Sequence, residues 1–282
     1  MTGGANGGAT SSADRRAIVA AEQLRRSYAR GRAAPLRRRS GNQVEAVRGV
    51  DLEVLTAETL ALVGSSGSGK STIARLLVGL EAPTAGTVKW RGRDIRTLDR
   101  SSRLAFRRSV QIVFQDPFGS LNPRQPVGAM LREALAFHRL ATGAAANERV
   151  SRLMELTGLS PRTAGRDPHE LSGGQRQRVA IARALSVEPE LIVADEPVSA
   201  LDVSIRAQIL NLLMDLRERL DLSLLLIAHD LSVVRHIADR TAVMSEGRIV
   251  ECAPTARLFD DPQHAVTREL LASVPTPLRR FP

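Results

Sequence analysis

Apolar residues fall into two rhythms along this chain. Continuous runs at 60–63 (LALV), 110–114 (VQIVF), 191–195 (LIVAD) and 222–228 (LSLLLIA) are strand-sized and read as strands buried on both faces. Residues 73–80, 175–186 and 203–220 instead repeat their apolar positions at helical spacing. Residues 44–54 alternate apolar and polar positions as a half-buried strand does, and 86–90 (GTVKW) follow a Pro83/Gly86 turn as a further strand. Alanine and leucine dominate from about 126 to 160 at helical period, with Gly158 as a terminating cap, which predicts a helical insert. Residues 242–251 (AVMSEGRIVE) read as a hairpin-like ending. Strands alternating with helices predict an α/β fold with a mainly parallel sheet covered on both faces, and no internal repeat divides it.

One stretch resists this scheme. QDPFGSLNPR, residues 115–124, carries two prolines, a glycine and an asparagine, which argue against a regular helix or a central strand. Phe118 and Leu121 are nevertheless too apolar for an idle surface loop.

Composition narrows the classes. The 282 residues are 43% hydrophobic, enough for a sizeable core, yet no apolar run approaches the roughly 18–20 residues of a membrane span. Any membrane role is therefore expected to come through a partner. Arg15 and Arg16 precede a short apolar run, but Glu22 ends it too early for a secretory signal. Cys252 is the only cysteine, which excludes an intrachain disulfide and a cysteine-rich metal site and fits a reducing compartment. Most of the net charge of +10 sits in residues 1–40, where nine arginines face Asp14 and Glu22. With aromatics at 3% there is no stacking platform for nucleic acid, so the basic arm reads as solvated, with lipid headgroups or a partner protein as the remaining readings.

Chemistry enters at GSSGSGKST, residues 64–72, which satisfies G-x-x-x-x-G-K-[ST] between a buried strand and a helix. Gly64, Ser65, Ser66, Gly67, Ser68 and Gly69 would turn backbone N–H groups toward phosphates at a helix N-terminus, and Lys70 would bridge the β and γ phosphates of ATP. Ser71 would ligate Mg²⁺ and Thr72 would meet the α and β phosphates. Lys70 and Lys89 are the only lysines in an arginine-rich chain, so a compact ammonium stands where a planar guanidinium would not fit. LIVADE, residues 191–196, ends a buried strand in two carboxylates: Asp195 to hold Mg²⁺ and Glu196 to polarise the attacking water. HELSGGQRQRVAIARAL, residues 169–185, supplies a second glycine-rich turn at a helix start. One ATP does not need two such turns from one chain, so Ser172, Gly173, Gly174 and Gln175 are expected to face nucleotide held by another subunit.

LSGGQ resembles the signature motif of the ATP-binding cassette (ABC) family. The resemblance implies a P-loop NTPase fold of the ABC type, with a RecA-like core, an antiparallel β subdomain and an α-helical insert. It also implies a Q-loop glutamine at Gln115 that senses Mg²⁺ and the γ-phosphate, a D-loop at 199–202 ending in Asp202, a switch histidine at His229, and an adenine-stacking aromatic at Tyr28. QDPFGSLNPR, HDLSVVRHIADR (229–240) and PQHAVTRELLASVP (262–275) resemble the ATPase subunits of dipeptide and oligopeptide importers, with nickel and glutathione importers as relatives using similar subunits. Implied with it are two permease subunits whose short helix docks between core and insert, a second ATPase that is a paralogue or another copy, a solute-binding protein reached indirectly, and a place on the cytoplasmic face of the membrane. Nucleic acid is not an expected partner. Where relatives carry His-Pro-Tyr-Thr this chain has His264-Ala265-Val266-Thr267, and the cysteine-bearing tail of many relatives is lacking, so no cluster role is implied. The expected organisation is a disordered tail at 1–17, an ATPase domain at 18–250 with its helical subdomain at about 116–178, and a C-terminal tail at 251–282.

Overall fold

The computed structural model describes residues 15–29, 43–199 and 201–273, apart from the side chains of Phe118 and Val203. The glycine-rich start, the 30–42 insertion, Ala200 of the SALD stretch and the final residues of the tail lie outside the described residues.

Ten strands and ten α-helices follow in order: β1 (Ala17–Ala29), β2 (Gln43–Leu55), β3 (Thr59–Gly64), α1 (Lys70–Leu77), β4 (Ala85–Trp90), β5 (Arg93–Asp94), α2 (Arg100–Ser109), β6 (Val110–Val113), α3 (Pro117–Ser120), α4 (Val127–Phe137), α5 (Gly143–Leu156), α6 (Gly173–Leu185), β7 (Leu191–Asp195), α7 (Val203–Leu220), β8 (Ser223–Ala228), α8 (Leu231–Ile237), β9 (Arg240–Ser245), β10 (Arg248–Pro254), α9 (Thr255–Asp260) and α10 (Ala265–Ala272). That count is of the described residues. One sheet has the order β2-β1-β4-β5 and is antiparallel; the other has the order β10-β9-β3-β8-β7-β6, parallel except for the β9–β10 hairpin.

The continuous apolar runs have a simple cause. Leu191 and Val193 of β7, with Leu225 and Ile227 of β8, enter a cluster with Ile73, Leu76 and Leu77 of α1, while Ile192, Ala194, Leu224 and Leu226 pack on the opposite face against α6 and α7. Side chains alternate between faces, and both faces are covered, so every position is apolar. Leu60 and Leu62 of β3 join the α1 cluster, whereas Ala61 and Val63 face Leu231, Val234 and Leu258 of the C-terminal helices. The helical insert has a separate cluster, including Leu131, Leu135, Val150 and Met154, which reaches the core through Val179 and Ala182 of α6.

Several expectations shift. The helix read at 73–80 begins at Lys70 and stops at Leu77, because Gly69 opens it and the chain turns at Gly79. Within QDPFGSLNPR a single helical turn, α3, does form: Pro117 stands at its first position, where its missing N–H costs nothing. β10 runs across the 250/251 boundary drawn from the sequence, and α9 and α10 pack on the core through Leu258, Phe259 and Leu270. Glu251 ties this end down by accepting hydrogen bonds from Gln263 N at 3.0 Å, His264 N at 3.0 Å and Thr267 Oγ1 at 2.5 Å.

Candidate functional site

β3 and β7 are separated by β8, so the loop after β3 and the acidic end of β7 lie at the same carboxyl edge of the sheet with the β8 terminus between them. This edge is where open α/β sheets bind ligands. α1 starts directly from the glycine loop, and the first N–H groups of a helix have no partner within it. Gly69, at φ 110°, is required here: a Cβ would stand 2.3 Å from Ala46 O, so the loop passes against β2 with no room for a side chain. Gly247 N donates to Ser68 O at 3.0 Å and fixes the loop from the β9–β10 turn.

A cavity of about 370 Å³ opens over the loop. It is lined by Ser66, Gly67, Gly69, Lys70, Ser71, Thr72, Gln115, Glu196, His229 and Ala46, so most of the phosphate-loop, Q-loop, acidic and histidine candidates meet on one surface. Gly64, Ser65 and Ser68 do not line it; the first two offer carbonyls to Lys70, and the buried Ser68 side chain turns inward, where its hydroxyl has no hydrogen-bond partner among the described residues. Lys70 is buried, with Nζ donating to Gly64 O at 2.8 Å and Ser65 O at 2.9 Å. Burial pushes its ammonium below the usual lysine range, and the Glu196 and Asp195 carboxylates push back. A Cβ at Gly67 would meet nothing within 4 Å, so the space in front of the loop is open to a ligand. A buried cation, a helix N-terminus and an open loop fit a polyphosphate.

Ser71 Oγ donates to Asp195 Oδ1 at 2.9 Å. Burial raises the Asp195 carboxyl above the ordinary carboxylate range, and this hydrogen bond pulls it part of the way back. Asp195 does not line the cavity and is reached through Ser71, and this carboxylate with the Ser71 hydroxyl and the Gln115 amide is the sparse, hard oxygen set that suits Mg²⁺ completed by phosphate oxygens and water.

Glu196 is largely buried and contacts His229 Nε2 through Oε1; the histidine is half exposed at the cavity rim. Its backbone has φ 48°, a left-handed value rare for a residue with a side chain. Glu196 N donates to Ile227 O at 3.1 Å, and Glu196 O accepts from Ser199 N at 3.2 Å and from Ser199 Oγ at 3.3 Å. Carboxylate and imidazole thus face the space in front of Lys70 from the ends of neighbouring strands.

Ser172, Gly173, Gly174 and Gln175 do not line this cavity. Ser172 caps α6, its hydroxyl accepting from Gln175 N at 3.2 Å while Gln175 Oε1 accepts from Ser172 N at 3.0 Å, a reciprocal capping box. A Cβ on Gly174 would stand 2.7 Å from Ile205 Cγ2, on a stiff β-branched side chain of α7. Gly174→Ala should therefore destabilise the fold by about 1–3 kcal/mol, the usual cost of overpacking, although alanine is the better helix former by about 1 kcal/mol. A lowered urea midpoint at unchanged slope is the expected reading. Asp202 takes the N-cap position of α7 without a side-chain cap bond and is exposed.

Tyr28 sits apart from the cavity lining. It pairs with Val44 across β1 and β2, its hydroxyl donates to Glu81 Oε2 at 2.6 Å, and the Arg26 guanidinium lies 4.7 Å from its ring centre. Glu81 also accepts from Arg26 Nε at 3.1 Å. Sequence reasoning missed Ala46, which meets the loop through its backbone carbonyl, a group any residue supplies.

A family model described as ABC transporter matches residues 47–199. The chain is 49% identical over 243 residues to the oligopeptide transport ATP-binding protein AppF of Bacillus subtilis, covering 86% of this chain and 74% of that protein. It is 48% identical over 233 residues to the dipeptide transport ATP-binding protein DppF of Haemophilus influenzae, covering 83% and 71%. It is 50% identical over 242 residues to the glutathione import ATP-binding protein GsiA of Escherichia coli, covering 85% of this chain and 39% of that protein. Among solved structures, a dimeric post-hydrolysis state of the ATP-binding cassette MJ0796 bound to ADP and Pi is similar at a TM-score of 0.72 and 29% identity, covering 84% of this chain and 99% of that one.

Proposed function

The chain belongs to the ABC transporter family as an ATPase, and on that premise we propose that it powers a membrane importer of dipeptides or oligopeptides from the cytoplasmic face. The observation that carries the chemistry is the single surface holding Lys70, Ser71, Gln115, Glu196 and His229. Lys70 binds the β and γ phosphates, giving up its two loop carbonyls for them. Ser71 and Asp195, with Gln115, would hold Mg²⁺, which would neutralise charge on the phosphate oxygens. Glu196 takes a proton from the attacking water, and His229 steadies both the carboxylate and the γ-phosphate. Tyr28 stacks on the adenine. Ser172, Gly173, Gly174 and Gln175, with Asp202, complete the site of a second ATPase subunit, either a paralogue or a second copy. The ATPase domain carries a helical subdomain at about 116–178.

No helix among the described residues is long and apolar enough to cross a membrane, and the family's transport role rests on membrane permease partners. A depression of about 730 Å³ lies between α2 and the end of α4, lined by Arg100, Arg103, Leu104, Arg107, Phe137 and Arg139. Phe137 is 63% exposed, unusual for a large aromatic, and lies on the insert side of that depression. In this reading the depression on each of the two ATPases receives the cytoplasmic helix of one permease subunit, and a solute-binding protein acts beyond the membrane.

Tagging the chain, solubilising membranes gently and identifying what co-purifies tests the reading. Two permeases, an ATPase partner and a solute-binding protein are expected, and titrating the binding protein with peptides then identifies the cargo. Phe137→Glu should weaken permease recovery about 30-fold or more, as loss of a buried aromatic anchor does, with ATP hydrolysis by the chain retained. Ribosomal or DNA-bound proteins without a permease would overturn the transport reading. A binding protein that takes glutathione and not peptides would favour the second reading, which the 50% identity to a glutathione import protein supports.

A further inference from the structure

α7 begins at Val203, and Arg206 occupies its first turn. A cation there opposes the positive end of the helix dipole, so the guanidinium is badly placed for helix stability. Its contacts lie outside the helix. Arg206 Nε donates to Leu201 O at 2.7 Å, and Arg206 Nη2 donates to Ser199 O at 3.4 Å. Ser199 in turn donates through its N–H and its hydroxyl to Glu196 O, at 3.2 and 3.3 Å. The guanidinium thus reaches, through one residue, the backbone of a carboxylate whose φ of 48° persists only where its surroundings fix it. Packing supplies only part of that fixing: Val198 and Leu201 rest on the core, but a cavity of about 270 Å³ lies among Glu196, Ser199, Arg206, Leu210, His229 and Val233, so the loop is open on this side.

We propose that Arg206 is a positioning residue for hydrolysis: its forked guanidinium holds the carbonyls of Ser199 and Leu201, and through Ser199 the backbone of Glu196, so that the Glu196 carboxylate faces the water. The proposal rests on Glu196 being the general base. A lysine at 206 carries its three donors on one nitrogen and lacks the fork by which Nε and Nη2 reach the separate carbonyls of Leu201 and Ser199.

The test uses the full-length chain, measuring ATP affinity, kcat and KM, with single-turnover hydrolysis for slow variants and a thermal melt for each. Arg206→Gln should lower kcat about 10- to 100-fold, the scale of a misplaced catalytic group, with KM and ATP affinity within about twofold. Arg206→Lys should recover part of the loss. In a Glu196→Gln background, Arg206→Gln should cost nothing further, because the group it positions is already disabled. Wild-type kcat in Arg206→Gln overturns the proposal, as does an equal fractional loss with and without Glu196, which marks a general structural role. Should Arg206→Gln fail to fold, Arg206→Lys decides: reduced kcat at unchanged KM supports the proposal, and wild-type kcat overturns it. Full activity in Glu196→Gln alone overturns the base assignment and the proposal with it, whereas inactive Glu196→Gln beside fully active Arg206→Gln overturns the proposal only.

Discussion

Glu196→Gln should bind ATP as tightly as the wild type and hydrolyse it at least about 100-fold more slowly. The amide keeps the size of the carboxylate, and the groups proposed to hold phosphate, Lys70 Nζ and the N–H groups opening α1, are untouched. What disappears is the proton acceptor, and removing a positioned general base costs about 10²–10⁴ in rate. The glutamine can still meet His229 through its carbonyl oxygen, so the loop at 196–199 has no reason to move. Equilibrium ATP binding alongside single-turnover hydrolysis checks both halves. Normal turnover in this variant would shift the base assignment to another group at the cavity, of which His229 is the nearest.

Lys70→Ala should fail at the earlier step. The ammonium is buried, and its contacts in the protein alone are the carbonyls of Gly64 and Ser65, weaker partners for a cation than phosphate oxygens. Hydrogen bonds to charged groups contribute about 1.5–3 kcal/mol each, so losing the lysine should raise the ATP dissociation constant at least about 100-fold. It also leaves the Asp195 and Glu196 carboxylates without the cation that offsets them, which adds repulsion toward the incoming phosphates. Titration with a fluorescent ATP analogue reads the effect; affinity within threefold of the wild type would remove Lys70 from phosphate binding.

The parts of the fold visible in the sequence are those where one physical demand acts on every position. Strands β3, β7 and β8 are apolar apart from Thr59, Asp195 and Ser223 at their ends because both faces are covered, and α7 is read correctly at 203–220 because its apolar stripe packs on one face of the sheet. β1 was harder: Gln23, at φ 46°, breaks the alternation with a bulge, and the register to β2 slips several times. α2 offers no apolar repeat to read, because its apolar residues are confined to 104–106 and only Phe106 and Ser109 of its ten residues are buried. In the candidate site, the phosphate loop and the acidic strand end were visible because glycine, lysine and carboxylate spacing is itself the chemistry. Arg206 was not, since its value lies in backbone carbonyls at Ser199 and Leu201, and any sequence supplies carbonyls. Tyr28 was visible as a residue but not in its setting, because its partner Glu81 lies beyond α1 in the chain.

The helical insert's separate apolar cluster gives it a mechanical character of its own. Leu131, Leu135, Val150 and Met154 pack with one another, whereas several of the ties back to the body are polar and few-atomed: Arg183 Nη1 to Ser120 O at 2.6 Å, and Arg149 Nη2 to Glu188 Oε1 at 3.0 Å, with Glu188 also held by Arg108 Nη2 at 2.6 Å. A densely packed block resists shearing, while exposed polar ties exchange with water at little cost. The insert is therefore a block on a mixed seam, where these polar ties alternate with apolar contacts: Leu153 and Leu156 of α5 against the core cluster, Val179 and Ala182 of α6 against the insert's own. Gln115 leads directly into that block and Phe137 stands exposed on it at the end of α4, so a push at one would reach the other as displacement of the block and not as bending within it.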